Sequence, residues 1–176
     1  PLEESPVLLP KVPEIFVPSE EDVTLLREPI AGKEESSFAK FVEELGDRDW
    51  VAAGREPFRR AGGKCPFCQQ EAPTNLGTLL DSLFDKHYEE QMDDVRALLE
   101  RAVEDLGALE RLESTVELSK VENKEEIRRA LSVLRLAAEH RVGDIKGKIE
   151  HPSSEVALRS LADERSDVAG LFEAAY

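Results

Sequence analysis

Two cysteines stand three residues apart in Cys65-Pro66-Phe67-Cys68, and the chain has no others. A pair at this spacing serves three chemistries. As a dithiol it exchanges with disulfides when the nucleophilic cysteine sits at a helix N-terminus that lowers its pKa. That chemistry needs strands on both sides and a proline loop facing the thiols, yet no proline occurs between Thr74 and His151. As a metal site the pair supplies two of the four ligands of a structural zinc. His87, His140 and His151 are scattered, so a tetrathiolate site needs a second chain. Such a site joins two helical arms, although here the pair precedes the long helical region instead of marking its tip. The third reading is a structural turn with two reduced thiols. Cys65 and Cys68 are therefore the candidate metal ligands, with zinc the only cofactor in view. No residue is a candidate for catalysis or for holding an organic cofactor.

Other motifs fall short of chemistry. Ala31-Gly32-Lys33 has the ending of a phosphate-binding loop, but Arg27 stands where a glycine is needed and Glu34 where Ser or Thr would hold magnesium. Gly62-Gly63-Lys64 fails because Cys65 follows it. Arg55, Arg59, Arg60 and Lys64 form a basic cluster that reads as charge balance against acidic helices. There is no Ser/His/Asp set and no His-Glu-x-x-His. Trp50, the single tryptophan, reads as a core anchor. His87 and Tyr88 read as packing residues.

Proline divides the elements that must position these groups. Nine of the ten prolines lie in residues 1–75, and the tenth is Pro152. Each proline inside a helix costs about 3 kcal/mol, so the first part is broken and the second is free to be helical. Val7-Leu8-Leu9 and Ile15-Phe16-Val17 read as docked extended runs. Val23, Leu25 and Leu26 suit one helical turn after Ser19. Phe38, Phe41, Val42 and Leu45 mark a short helix over 37–45 stopped by Gly46, and Asp47 caps a second that ends at Gly54. Residues 55–75 read as a loop.

From Leu76 apolar residues recur at spacings of three and four, through Leu79, Leu83, Val95, Leu99, Ala102, Leu106 and Leu109. They predict one helix over 76–118, about 65 Å long. Asn123 with Glu126 predicts a second over 124–150, striped by Ile127, Leu131, Leu134, Ala138 and Ile145. His151-Pro152-Ser153 breaks it, and a third spans 154–174. The lengths predict a mainly α fold. Its core is an antiparallel, coiled-coil-like helical hairpin over 76–176, with its tip near 115–123 and a third helix. A small irregular Pro-rich subdomain occupies 1–75.

The 176 residues carry a formal net charge of −15, which disfavours nucleic acid as a partner. No apolar run approaches the roughly 20 residues needed to cross a bilayer, and no signal peptide leads the chain. Two free thiols suit a reducing, cytoplasmic compartment.

Several residues together are similar to a known family. Trp50-Val51-Ala52-Ala53-Gly54, then Cys65-Pro66-Phe67-Cys68 with Gln70, then Leu79, Phe84 and Tyr88, resemble the middle region of PrrC-like AAA-type ATPases. These are large bacterial proteins related to ABC and SMC-type ATPases. Lys148-Ile149-Glu150-His151-Pro152 resembles a later Lys-x-x-x-Pro segment. Gln69 departs from the pattern, which has glycine after the second cysteine. The resemblance implies that this chain is a non-catalytic inserted arm. ATP and magnesium would bind elsewhere in the parent, upstream of Pro1 and beyond Tyr176, and some relatives act in phage defence or RNA cleavage. The expected partners are the rest of that ATPase, a protein at the helical tip, and a second copy of the chain. The alternative is a zinc-dependent dimerisation or adaptor module built on Cys65 and Cys68. A thiol redox enzyme is the third reading.

Overall fold

The computed structural model describes residues 9–32 and 36–175. Val7, Leu8, Lys33 and Glu34 lie outside the described residues. Helix makes up 67% of what is described, so the fold is mainly α as expected. The helices are α1 (Glu20–Arg27), α2 (Ser37–Leu45), α3 (Arg48–Arg60), α4 (Leu76–Leu83), α5 (Lys86–Leu118), α6 (Lys124–Glu150) and α7 (Ala162–Glu173). Among the described residues the extended pairing is limited to an isolated bridge between Lys64 and Glu71. None of these helices is long and apolar enough to cross a membrane.

Local chemistry explains the short helices. Ser19 and Asp22 exchange side-chain and backbone hydrogen bonds at the start of α1 (3.1 and 2.8 Å), a reciprocal cap. Ser36 caps α2 through the amide of Ala39, and Gly46 ends it with φ +68°. Asp47 caps α3 by accepting from the amide of Trp50 at 3.1 Å. The expected stop of α3 at Gly54 is wrong. The helix runs on through Pro57 to Arg60. The proline removes only the bond to the carbonyl of Ala53, an exposed residue.

The expected single helix over 76–118 is interrupted. Phe84 leaves helical conformation at φ −109°, ψ 66°. Asp85 then starts α5 by accepting from the amide of Tyr88 at 3.0 Å. The third helix also begins later than expected. Residues 155–161 are irregular because their backbone is engaged elsewhere: the amide of Val156 donates to Leu26 O at 2.9 Å.

The chain folds as two compact units, each drawn from more than one stretch. The first comprises Pro1–Val23, Ala97–Lys146 and Ala157–Tyr176. In it α5 and α6 form the expected antiparallel hairpin. Glu113 pairs with Arg135 (3.4 Å), and Glu117 nearer the tip pairs with Arg128 (2.8 Å) and Lys124 (3.2 Å). Leu109, Leu112 and Val116 pack with Ile127, Leu131 and Leu134, and Val168 and Phe172 of α7 close the same core. Leu9 and Ile15 join it, so the lead-in is docked in extended form. Phe16 is held on both sides of its peptide group: its amide donates to Asp105 (3.0 Å), and its carbonyl accepts from Arg141 (3.0 Å). The guanidiniums of Arg101 and Arg141 lie 4.3 and 5.1 Å from its ring centroid. Asn123 does not cap α6 with its side chain; its amide nitrogen donates to Leu171 O at 2.9 Å.

The second unit comprises Thr24–Arg96 and Gly147–Val156. Its interior holds Leu26, Ile30, Val42, Leu83, Phe84, Tyr88, Met92 and Val95. Phe84 and Tyr88 meet edge to face at 5.0 Å, which bears out the packing role read for Tyr88. Trp50 is not a core anchor. It is 57% exposed, and Phe41 and Leu45 of the expected apolar stripe are also more than half exposed.

Candidate functional site

The two cysteines lie in a short hairpin between α3 and α4. The amide of Cys65 donates to Gln70 O (2.8 Å), and the amide of Gln69 donates back to Cys65 O (2.9 Å). Gly62 and Gly63, both at positive φ, turn the chain into the hairpin. Ala72 N donates to Gly63 O at 3.0 Å and closes it. Gln69 follows the second cysteine with φ +62°, the only non-glycine at positive φ among the described residues. The position demands a left-handed backbone, which a glutamine adopts at a cost of about 1 kcal/mol.

Both thiols are free. The Cys65 thiol is held below its ordinary value by the amides of Cys68 and Phe67 and by the Cys68 side chain. This is the pattern of a turn that stabilises a thiolate. No His, Cys, Asp or Glu joins the pair: among the described residues there is no group of three or more that could hold a metal ion. His87 therefore does not complete a site.

Cys65, but not Cys68, borders a groove of about 600 Å³, lined by Phe38, Phe41, Leu45, Trp50, Phe58 and Phe67 among others. Trp50 stacks on Phe67 with centroids 6.3 Å apart. The basic cluster is partly spent on charge balance. Arg55 pairs with Glu89 at 2.8 Å, Arg59 with Asp81 at 2.9 Å, and Arg60 with Glu56 at 3.7 Å. Arg55 also lies 4.8 Å from the Phe84 ring centroid. Arg60 and Lys64 line a hollow together with Cys65 and Gln69.

A second cluster was not marked by the residue types themselves. Lys148 is completely buried, and its ammonium donates to Glu28 O at 2.7 Å and to Ser154 O. Burial holds its pKa below the ordinary 10.5, against the attraction of Asp49 and Glu155. The same turn is tied down by Ile30 N on Pro152 O (3.0 Å), and by Ser153 giving its amide (3.1 Å) and hydroxyl (2.7 Å) to Asp49. So residues 148–156 act as a clamp that fixes residues 26–30 and the start of α3 to the end of α6. The signal was available in the spacing: Lys148 stands three residues after Ile145, on the stripe of α6.

Gly32, tested above as part of a phosphate loop, has a packing role in this unit. A Cβ there would stand 2.3 Å from Leu83 O.

No curated protein and no solved structure matches the chain. A family model described as an AAA domain matches residues 4–175. The match spans nearly the whole chain, so this protein belongs to the AAA domain family.

Proposed function

We propose that this chain is a non-catalytic helical arm within a larger AAA-type ATPase of the PrrC-like, ABC/SMC-related kind, and that it passes nucleotide-driven motion to a protein partner. The observation that carries the reading is the buried seam of the hairpin, Leu109, Leu112 and Val116 against Ile127, Leu131 and Leu134. A seam sealed along its length makes a stiff element, and stiffness is what a lever needs. Membership of the AAA domain family supports the ATPase context. The sequence supplies no phosphate-binding loop, since Arg27 and Glu34 occupy the decisive positions. ATP and magnesium would then bind in the remainder of the parent. At the tip, Leu118 is 77% exposed and offers an apolar contact to a protein partner. The charge of −15 directs the arm away from nucleic acid. Free thiols at Cys65 and Cys68 suit a cytoplasmic setting.

The test uses the gene extended to its natural ends. The extended protein should hydrolyse ATP, and the 176-residue chain should neither bind nor hydrolyse it. Exchanging the tip residues 118–123 for a Gly/Ser turn should leave hydrolysis intact and abolish partner capture. ATP turnover by the 176-residue chain alone would overturn the proposal.

A further inference from the structure

We infer that the apolar groove between α2, α3 and the cysteine turn docks an amphipathic helix of a protein partner, one whose apolar face is flanked by carboxylates. The inference goes beyond the arm reading and rests on none of the α5 and α6 residues that carry it. The groove lies wholly within the second unit. Its floor includes Val42 and Leu80, both buried, and α2 packs against both α3 and α4 beneath it. Its walls stand out in solvent: Phe67 is 79% exposed, and Phe41, Leu45 and Trp50 are each more than half exposed. Local backbone geometry presents them there. The left-handed Gly46 and the Asp47 cap turn α2 into α3, which brings Leu45 and Trp50 to one groove. The bonds of Cys65 N to Gln70 O and Gln69 N to Cys65 O shape the turn that stacks Phe67 on Trp50. A contiguous apolar surface with a polar rim marks an interaction site.

Charge and shape select the occupant. Residues 48–64 hold five basic side chains against two acidic ones, in a chain whose net charge is −15. Arg55 and Arg59 are spent on Glu89 and Asp81. Arg60 is held by the exposed Glu56 at 3.7 Å, a weak pairing, and Lys64 makes no ion pair among the described residues. Both line a hollow that shares Pro57, Cys65 and Pro66 with the groove, so two cations stand at one end of an apolar trough. Carboxylates on the flank of a docked helix would lie within a Debye length of them, about 8 Å. The walls come chiefly from helices, whose backbone groups are paired internally, so an added strand finds no ladder to join. A nucleic-acid strand could stack on the same rings, but its phosphates would run on past Arg60 and Lys64 over a chain of net negative charge. The groove of about 600 Å³ suits the few large side chains that a docked helix presents at i, i+3 or i+4 and i+7.

The 176-residue chain is used to select from a phage-displayed library of amphipathic helices about four turns long, with acidic, neutral and basic flanks in equal number. The expected winners carry Leu, Ile, Phe or Met on the docking face and Asp or Glu on the flanks. As free peptides they should bind with a dissociation constant of about 10 μM or tighter and shift Trp50 emission to the blue. Reversing their flanks to Lys should weaken binding about tenfold or more. Phe41→Ser and Phe67→Ser remove exposed side chains, so circular dichroism should stay helical while peptide binding falls about tenfold or more. With Arg60→Glu and Lys64→Glu together, the same selection should return basic flanks, a reversal that loss of fold does not produce. Exchanging the tip residues 118–123 should leave peptide binding unchanged, which separates this site from the tip of the arm. A library that yields no binder, winners without acidic flanks, or a preference unmoved by the charge reversal would each overturn the inference. So would a single-stranded oligonucleotide that competes for the groove more tightly than every peptide, or self-association of the chain that Phe67→Ser removes.

Discussion

Replacing Lys148 with Met isolates the clamp at the end of α6. The side chain is fully buried, and its ammonium donates to the carbonyls of Glu28 and Ser154. Methionine preserves the length and most of the volume of the stem, so packing changes little. The two carbonyls lose their donor. A hydrogen bond to a charged group contributes about 1.5–3 kcal/mol, and removing a desolvated charge returns part of that. Lys148→Met is therefore expected to lower stability by about 2–4 kcal/mol, a large share of the 5–15 kcal/mol typical of a domain. Urea unfolding followed by circular dichroism measures it, with the exposed neighbour Lys146→Met as control, expected within about 0.5 kcal/mol of the parent. The pH dependence gives a second reading. Burial holds the native Lys148 below 10.5. Between the native value and 10.5 the unfolded chain binds the proton and the native chain sheds it, so this group adds stability as pH rises through that window. Below the window its contribution is constant. Tyr88 works in the opposite sense, since burial raises it above 10.0 and its contribution is lost at alkaline pH. The difference between the parent and Lys148→Met cancels Tyr88 and should widen as pH climbs toward 10.5. A variant as stable as the parent, or a difference that narrows with rising pH, would refute the clamp.

Gly32→Ala should cost about 2 kcal/mol or more, read as a fall in melting temperature, because the new Cβ meets the backbone carbonyl oxygen of Leu83 at 2.3 Å. A melting temperature unchanged from the parent would contradict that close approach. Gln69→Gly should stabilise the chain by about 0.5–1 kcal/mol by relieving the positive φ, net of the entropy that glycine adds to the unfolded state. Gln69→Ala should bring no such gain, and equal effects from the two substitutions would place the strain elsewhere.

The hairpin was legible in the residues because its signal is periodic. Ile127, Leu131, Leu134 and Ile145 recur at helical spacing, and all are buried in the structure. The stop at Gly46 and the cap at Asp47 were legible because each acts within a few residues of itself. Asp85 is also such a cap, but the apolar run across Leu83 and Phe84 masked it and made two helices read as one. Gly54 misled in the opposite way: a glycine is only a permissive residue, and nothing downstream required the chain to turn there.

What the linear order of residues determined by itself is the helical class, the doubling back near Asn123 and the cysteine turn. All three follow from side-chain spacing and local backbone preference. Tertiary structure alone decided that Trp50 stays on the surface and which segments close over Lys148. Burial depends on which distant segments arrive to cover a residue. For Lys148 those segments are residues 26–30 and 152–154, in which the carbonyls of Glu28 and Ser154 accept its hydrogen bonds. No neighbour in sequence announces a partner that lies 120 residues away.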